Sequence, residues 1–380
     1  MSGILQALLA SIAAKAVEAG YIFAWGQETA QLNGDRVSRS SPVQIGALTT
    51  WSDISISSYS GVALKTDGTM WGWGNLCGDN TAVNKSSPVQ IGALTTWSAI
   101  SRGRNKGFAV KNDGTLWCWG QDSYGDLGIN QFSTVVSSPV QIGALTNWAQ
   151  VGAGTDHVLA VKADGTLWAW GRNNTGQLGL NSGYLDNTNK SSPTQVGALT
   201  TWSFAQASGK DSPRYTSFAL KTDGTIWSWG NNFFGALGLP QANTHRSSPV
   251  QIGALTTWDA LFASPLSNHS FALKNDGTLW GWGKDDQGQI GVNGYSSSGR
   301  SSPVQVTASS DWEYAAPGFE HSLFVKTTGT LWSCGNNNQG QLGLNLNTAQ
   351  KRSSPIQVGA LTKWFLPKAS NYTSVALRNS

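Results

Sequence analysis

Charge is what this 380-residue chain has least of: Asp, Glu, Lys and Arg make up 12%, with a formal net charge of +4. No block of Lys or Arg is long enough for a nucleic-acid-binding tail, so electrostatics designates no partner. Cysteine is scarce too, at three residues. Cys77, Cys118 and Cys334 are an odd number far apart in sequence, so free thiols are expected rather than a disulfide framework. The chain also lacks a Gly-x-x-x-x-Gly-Lys-Ser/Thr phosphate loop and any serine in a nucleophile-elbow context. Its longest apolar-rich stretch, within residues 1–20, falls short of the roughly 20 residues that cross a bilayer comfortably. These absences argue against an enzyme, a nucleic-acid binder and a membrane span, and no cofactor is expected.

What the chain has is repetition. The clearest copy of its central dodecamer runs from Ala160 to Gly171, with Asp164-Gly165-Thr166 in the middle and Trp168 and Trp170 at alternate positions. Close copies run from Ala63 to Gly74, Ala109 to Gly120, Ala219 to Gly230, Ala272 to Gly283 and Phe324 to Gly335, where Cys334 replaces the second Trp. An apolar run, an Asp-Gly turn and alternating aromatics predict a β-hairpin, because Gly tolerates the positive φ of a tight turn. A further copy is split: Tyr21 to Gly26 supplies its second half and Val375 to Arg378 its first. The closing glycines, from Gly26 through Gly74, Gly120, Gly171, Gly230 and Gly283 to Gly335, recur at intervals of about 50 residues, a period that marks a propeller or solenoid.

The expected fold is therefore all-β: a seven-bladed β-propeller over residues 21–380, closed by pairing strands from the two termini, which removes the open sheet edge. Each blade should have four strands, A to D outward from the axis. A recurring Gly-Ala-Leu-Thr-Thr-Trp link, as at Gly197 to Trp202, should lead from strand D to the next strand A. All nineteen tryptophans fall in three framework positions and are read as core.

Residues 1–20 form the second predicted unit. Leu5, Leu8, Leu9, Ile12 and Val17 recur at helical spacing and Gly20 closes the run. A retained apolar anchor helix is expected, docking on a partner or on copies of the chain; a cleaved signal peptide is the rival reading, although no Lys or Arg precedes the apolar stretch.

The repeat resembles the regulator of chromosome condensation repeat, a seven-bladed propeller family. The hairpin is followed by Gly-Gln-Leu-Gly at Gly176 to Gly179 and Gly340 to Gly343, with relatives at Gly125 to Gly128, Gly235 to Gly238 and Gly288 to Gly291. The first two copies depart from it, with Ala30 to Asn33 and Cys77 to Asn80. The family commonly has His where His157, His269 and His321 stand, which implies a structural role for them. They lie in different blades, without the clustered ligands of a zinc site. Within the family, the uniform blades, low charge and apolar leading segment look similar to propellers that tailed phages carry as virion components. That likeness implies virion proteins as partners of residues 1–20 and a host-surface protein or glycan on the other side. Members that exchange nucleotide on the Ran GTPase or inhibit β-lactamase imply the alternative, a secreted or cytosolic protein-binding regulator.

Strand alternation puts the A-to-B and C-to-D loops on one face, where the copies differ, and the Asp-Gly-Thr turns and links on the other, where they hardly differ. Tyrosine is concentrated in the variable loops, and it offers large contact area with little lost side-chain freedom. The expected recognition residues are Tyr59, Arg102, Arg104, Lys106, Tyr124, Tyr184, Lys210, Arg214, Tyr215, Phe233, Tyr295, Phe319 and Tyr372.

Overall fold

The computed structural model describes residues 19–27, 37–58, 60–182, 188–210, 214–241, 243–346 and 350–379. They form seven four-stranded antiparallel sheets. Blade 3 is representative, with strands A to D at Trp148–Ala153, His157–Lys162, Leu167–Gly171 and Lys190–Gln195. The seventh sheet combines Trp364–Ala369 and Thr373–Arg378 with Tyr21–Gly26 and Arg39–Ile45. Its two middle strands run in register from Tyr21 opposite Arg378 to Gly26 opposite Thr373. Neighbouring sheets touch through their inner A and B strands, the seventh against the first included. Among the described residues the one helical element is a single 3₁₀ turn at Phe233–Gly235. The expected anchor residues Leu5, Leu8, Leu9, Ile12 and Val17 lie outside the described residues.

Each hairpin is held by the three residue types that repeat in it. Gly165 has φ +78°, the region glycine enters without penalty. The Asp164 carboxylate accepts the Thr166 N–H at 3.0 Å and its hydroxyl at 2.6 Å, and that hydroxyl accepts the Trp168 indole N–H at 2.9 Å. This is an Asx turn extended onto an aromatic ring, and the same chain recurs from Asp67, Asp113, Asp223 and Asp276. The lysine ending strand B completes it: Lys162 Nζ lies 3.8 Å from the Trp168 ring centre and 4.9 Å from that of Trp148. That places an ammonium on two quadrupoles. The core expectation holds in part for tryptophan. The strand A rings such as Trp148 and the second strand C rings such as Trp170 are buried, whereas the first strand C ring, Trp168 here, is half-buried under its lysine.

The hydrophobic core lies between sheets. Leu159, Val161 and Leu167 of blade 3 pack on Trp202, Ala205 and Trp229 of blade 4. The Gly-Gln-Leu-Gly tetrad latches this interface, with Leu178 fully buried in it. The Gln177 carbonyl accepts the Trp229 indole N–H at 2.9 Å, and Asn181, past the tetrad, donates its N–H to the Ser247 carbonyl on the next strand D at 2.8 Å. A Cβ on Gly179 would lie 2.8 Å from Trp229 Nε1 and one on Gly176 2.7 Å from Ser247 Cα, so close approach as well as positive φ demands glycine. Blade 1 uses a shortened form: Gly78 packs on Trp119, Cys77 occupies the buried position of the tetrad leucine, and Asn80 donates to the Ser137 carbonyl at 2.9 Å.

The histidines belong to the same interface. His157 Nε2 lies 2.8 Å from Ser217 Oγ of the next blade, and that hydroxyl donates to the Gln177 carbonyl at 2.6 Å. His269 with Ser322, and His321 with Ser374, repeat the arrangement. Burial holds all three imidazoles down to about 3, hence neutral.

Strand D carries proline at its Ser-Ser-Pro sequence, as at Pro193 and Pro249. It is the outermost strand of its sheet, where a residue without N–H blunts edge pairing.

Candidate recognition face

The two faces of the disc are built differently. On one, the Asp-Gly turns meet the links: the Trp202 N–H donates to the Gly165 carbonyl at 3.1 Å, and Thr222 N–H to the Thr201 carbonyl at 2.9 Å. Gly20, entering blade 7, donates its N–H to the Trp51 carbonyl at 3.0 Å on this same face. On the opposite face the A-to-B loops meet the ends of strand C. Arg172 N–H donates to the Asp156 carbonyl at 2.9 Å, and Gln27 N–H to that of Tyr372 at 2.8 Å.

On this loop face the A-to-B loops join one another. Thr155 of blade 3 donates its hydroxyl to the carbonyls of Gly209 at 2.7 Å and Pro265 at 2.8 Å, in blades 4 and 5. Phe319 of blade 6 donates its N–H to the Ser370 carbonyl of blade 7 at 2.9 Å, and Ser370 Oγ donates to the Ser57 carbonyl of blade 1 at 3.2 Å. Side chains from separate blades meet above these bonds. Lys210 Nζ of blade 4 lies 3.4 Å from the Phe319 ring centre, Lys284 of blade 5 lies 5.2 Å from it, and Tyr372 meets it edge-on at 6.2 Å. Lys284 is paired with Asp286 at 3.3 Å and Glu320 at 3.5 Å.

A second cluster lies between blades 2, 3 and 4. The Tyr215 hydroxyl donates to Asp156 Oδ2, which also pairs with Arg172 Nη1 at 3.2 Å, and the Arg172 guanidinium lies 4.4 Å from the Tyr124 ring centre. Cation, carboxylate and ring thus fix one another's rotamers, which lowers the entropy that ordering on contact would otherwise cost.

The expected recognition residues divide. Arg104, Phe233 and Tyr295 are exposed; Tyr124, Lys210, Arg214, Phe319 and Tyr372 are half-buried, and Arg214 stands over Phe234 at 5.3 Å. Tyr59 and Tyr184 lie outside the described residues. Three expectations need correction, because Arg102, Lys106 and Tyr215 are 0%, 2% and 1% exposed and offer no contact surface. Arg102 reaches inward to Ser60 Oγ at 3.1 Å and to the carbonyls of Leu76 at 3.1 Å and Asn75 at 2.8 Å. Lys106 is paired with Asp126 and donates to the Thr155 carbonyl at 2.9 Å. A charge in a loop reads as exposed until its partner is seen, and these partners come from elsewhere in the chain. Asp156, Arg172 and Lys284, not singled out from sequence, complete the two clusters; their signal was a charge in or at the edge of a loop that varies between copies, Lys284 standing at the end of strand Leu279–Asp285.

The three cysteines are free and buried. Burial pushes the Cys77 thiol up to about 11 and raises those of Cys118 and Cys334 further, away from the thiolate form that reacts. Among the described residues no three His, Cys, Asp or Glu side chains are grouped to hold a metal, and no helix is long and apolar enough to cross a membrane.

Comparison with known proteins agrees with this architecture. Human HERC3, a probable E3 ubiquitin-protein ligase, is 31% identical over 209 residues, covering 55% of this chain and 19% of HERC3. The chain therefore spans about a fifth of that protein. The ultraviolet-B receptor UVR8 of Arabidopsis thaliana is 29% identical over 340 residues, 85% of this chain and 74% of UVR8. Prp20p of Saccharomyces cerevisiae superposes with a TM-score of 0.83 over 96% of this chain and 92% of its own, at 19% identity, a likeness of fold. One profile of the regulator of chromosome condensation (RCC1) repeat matches residues 113–161, 164–209 and 223–273, and a second matches 148–177, 267–289 and 315–341. With its repeats matched and its sheets arranged as seven blades, the chain belongs to the family of RCC1-repeat proteins.

Proposed function

We propose that this propeller is a non-enzymatic protein-binding regulator whose loop face is the recognition surface. One observation carries the reading: Lys210, Phe319 and Tyr372, from three blades, form one half-buried cation and aromatic cluster on the face where the blades differ. Aromatic and cationic anchors of this kind dominate protein interfaces. The groups that could do acid-base work are engaged elsewhere, the repeat aspartates in turns and the three repeat histidines in inter-blade bonds. Prp20p, which shares the fold, is described with binding properties to Gsp1p and histones, in keeping with a propeller that works by holding proteins. The relatives named above are human, plant and yeast proteins, so they lend no support to placement in a virion. The ligase activity of HERC3 belongs to a far longer protein.

The test uses a photo-crosslinking amino acid at position 319 or 372, compared with position 275 on the opposite face, in extract of the source cells. A discrete protein adduct from the loop positions, abolished by Lys210→Ala at unchanged thermal stability, is the expected result. Adducts from position 275 with none from 319 or 372 overturn the assignment.

A further inference from the structure

The innermost strands surround a lumen that holds charges the framework does not use. Strand A is the edge strand of its sheet nearest the axis, where it meets the inner strands of neighbouring blades. Half-buried residues alternate along it with buried ones, Asp53 and Ser55 flanking Ile54 in blade 1 and Phe204 and Gln206 flanking Ala205 in blade 4. Ile54 and Ala205 pack into the cores between sheets, so their half-buried neighbours face the axis. Register brings three polar groups to one sector of this lumen. Asp53 of blade 1, opposite Leu64, and Tyr314 of blade 6, opposite Val325, hold equivalent positions on either side of blade 7. Lys368 of blade 7 stands opposite Val375, the place Ser55 takes opposite Val62. Its strand arrives there through an irregularity between Phe365 and Lys368, with Leu366 at φ +42°, a region unfavourable for leucine.

Lys368 Nζ donates to the Tyr314 hydroxyl at 2.9 Å, and the Tyr314 ring packs on that of Phe262 at 4.8 Å between centres. Asp53 Oδ1 accepts the Ile54 N–H at 2.7 Å. Lys368 and Asp53 feel each other's charge, yet among the described residues neither joins an ion pair. Two ammonium hydrogens, the phenol hydrogen and one carboxylate oxygen therefore have no protein partner among the described residues. Burial raises the Asp53 carboxyl against the pull of Lys368, whereas Tyr314 and Asp53 outweigh burial at Lys368 and raise it, keeping the ammonium charged. We propose that the axial lumen binds a small α-amino acid with an apolar side chain, its carboxylate on Lys368 and Tyr314 and its ammonium on Asp53. Donors from blades 6 and 7 and an acceptor from blade 1 match the two charges of a zwitterion through charge-assisted hydrogen bonds. A plain anion would leave Asp53 unanswered, and a plain cation would leave Lys368. The Tyr314 and Phe262 rings supply the apolar wall that a small-molecule site needs beside its few polar groups.

Isothermal titration of the full chain with L-leucine, and separately with L-phenylalanine, should show one site per chain for at least one of them, with a dissociation constant between about 10 µM and about 1 mM. Isocaproate, which is leucine without its ammonium group, and isoamylamine, which is leucine without its carboxylate, should each bind at least about 10-fold more weakly than leucine. Lys368→Met and Asp53→Asn should each weaken amino-acid binding by about 10-fold or more, with the thermal midpoint of the ligand-free chain maintained. Binding of neither amino acid up to about 10 mM overturns the inference, as does isocaproate binding as tightly as leucine, the behaviour of a plain anion site. Undiminished binding by a folded Lys368→Met chain overturns it too. Should either variant fail to fold, the comparison of leucine with its two fragments on the wild-type chain decides by itself.

Discussion

The indole N–H of Trp229 reaches out of its own blade to the main-chain carbonyl of Gln177, 2.9 Å away in the blade before. Trp170 with Asp126, Trp282 with Ala236 and Trp25 with Gln341 repeat the bond at 2.9 to 3.1 Å. The tetrad and the second strand C tryptophan are thus two halves of one inter-blade fastening. The disc is held at every such seam by packing plus one buried hydrogen bond.

Gly179→Ala should be among the costliest small substitutions. Its Cβ would meet Trp229 Nε1 at 2.8 Å with φ at +73°, and left-handed strain and a displaced ring together predict a loss of about 3 kcal/mol or more. Gly197→Ala has a similar φ, +63°, but nothing within 4 Å of the new Cβ, so strain alone, about 1–2 kcal/mol, is expected. Urea unfolding of the two variants measures the difference.

Blade 2 departs from the fastening, and the departure can be tested. Arg102 Nη1 takes the Leu76 carbonyl, which corresponds to that of Gln177, and Trp119 Nε1 has no hydrogen-bond partner. Trp229→Phe removes a buried bond and should cost about 1–2 kcal/mol more than Trp119→Phe, since both lose similar volume. Arg102→Met should exceed both, at roughly 3 kcal/mol, because it strands the buried Leu76 carbonyl and removes the bonds to Ser60 and Asn75 as well. Equal losses in the two tryptophan variants would remove the distinction drawn between these seams.

Acid should loosen the disc well before its carboxylates protonate. The unfolded chain binds protons on His157, His269 and His321 from about pH 6.5 downward, while the folded state holds them neutral until about 3. Between those limits the unfolded state carries more protons, so stability falls as pH falls, by on the order of 2 kcal/mol per histidine from pH 6.5 to 5. The hydrogen-bonded turn aspartates, such as Asp164, are lowered by their bonds to Thr166 and begin to matter only below about 4. Asp122 and Asp285, raised by burial, act in the opposite sense as they take up protons. Urea midpoints at pH 7.5, 6 and 5 should decline, and His157→Gln should flatten the decline by about a third, its share of the three histidines.

The pairing of Tyr21 with Arg378 offers a covalent probe of the seventh sheet. Directly opposed residues on antiparallel strands have Cα atoms roughly 4.5–5.5 Å apart, within disulfide range. Tyr21→Cys with Arg378→Cys should therefore crosslink on oxidation, giving a mobility shift and a higher thermal midpoint. The native thiols are buried and should not compete. Absence of the crosslink would contradict this register.

What the amino-acid sequence determined by itself was everything carried by short-range repetition. The Asp-Gly-Thr turns, the alternation of Trp168 and Trp170 and the spacing of the blades depend on residues within a few positions of one another, so their physics is written where they stand. Only the tertiary structure decided which loop residues face the solvent. Arg102 and Lys106 looked like surface cations, yet the groups that bury them, Leu76 and Asn75 for the first and Asp126 and Thr155 for the second, belong to other loops. Periodicity could not show that the tetrad carbonyl is an acceptor for the next blade's indole, or that the lysine before each turn lies on two tryptophans. The first relation exists only once neighbouring sheets stand face to face across a seam, and the second only once strands A, B and C of one sheet are paired, because a hydrogen bond or a ring contact needs groups that the fold brings together from separate strands.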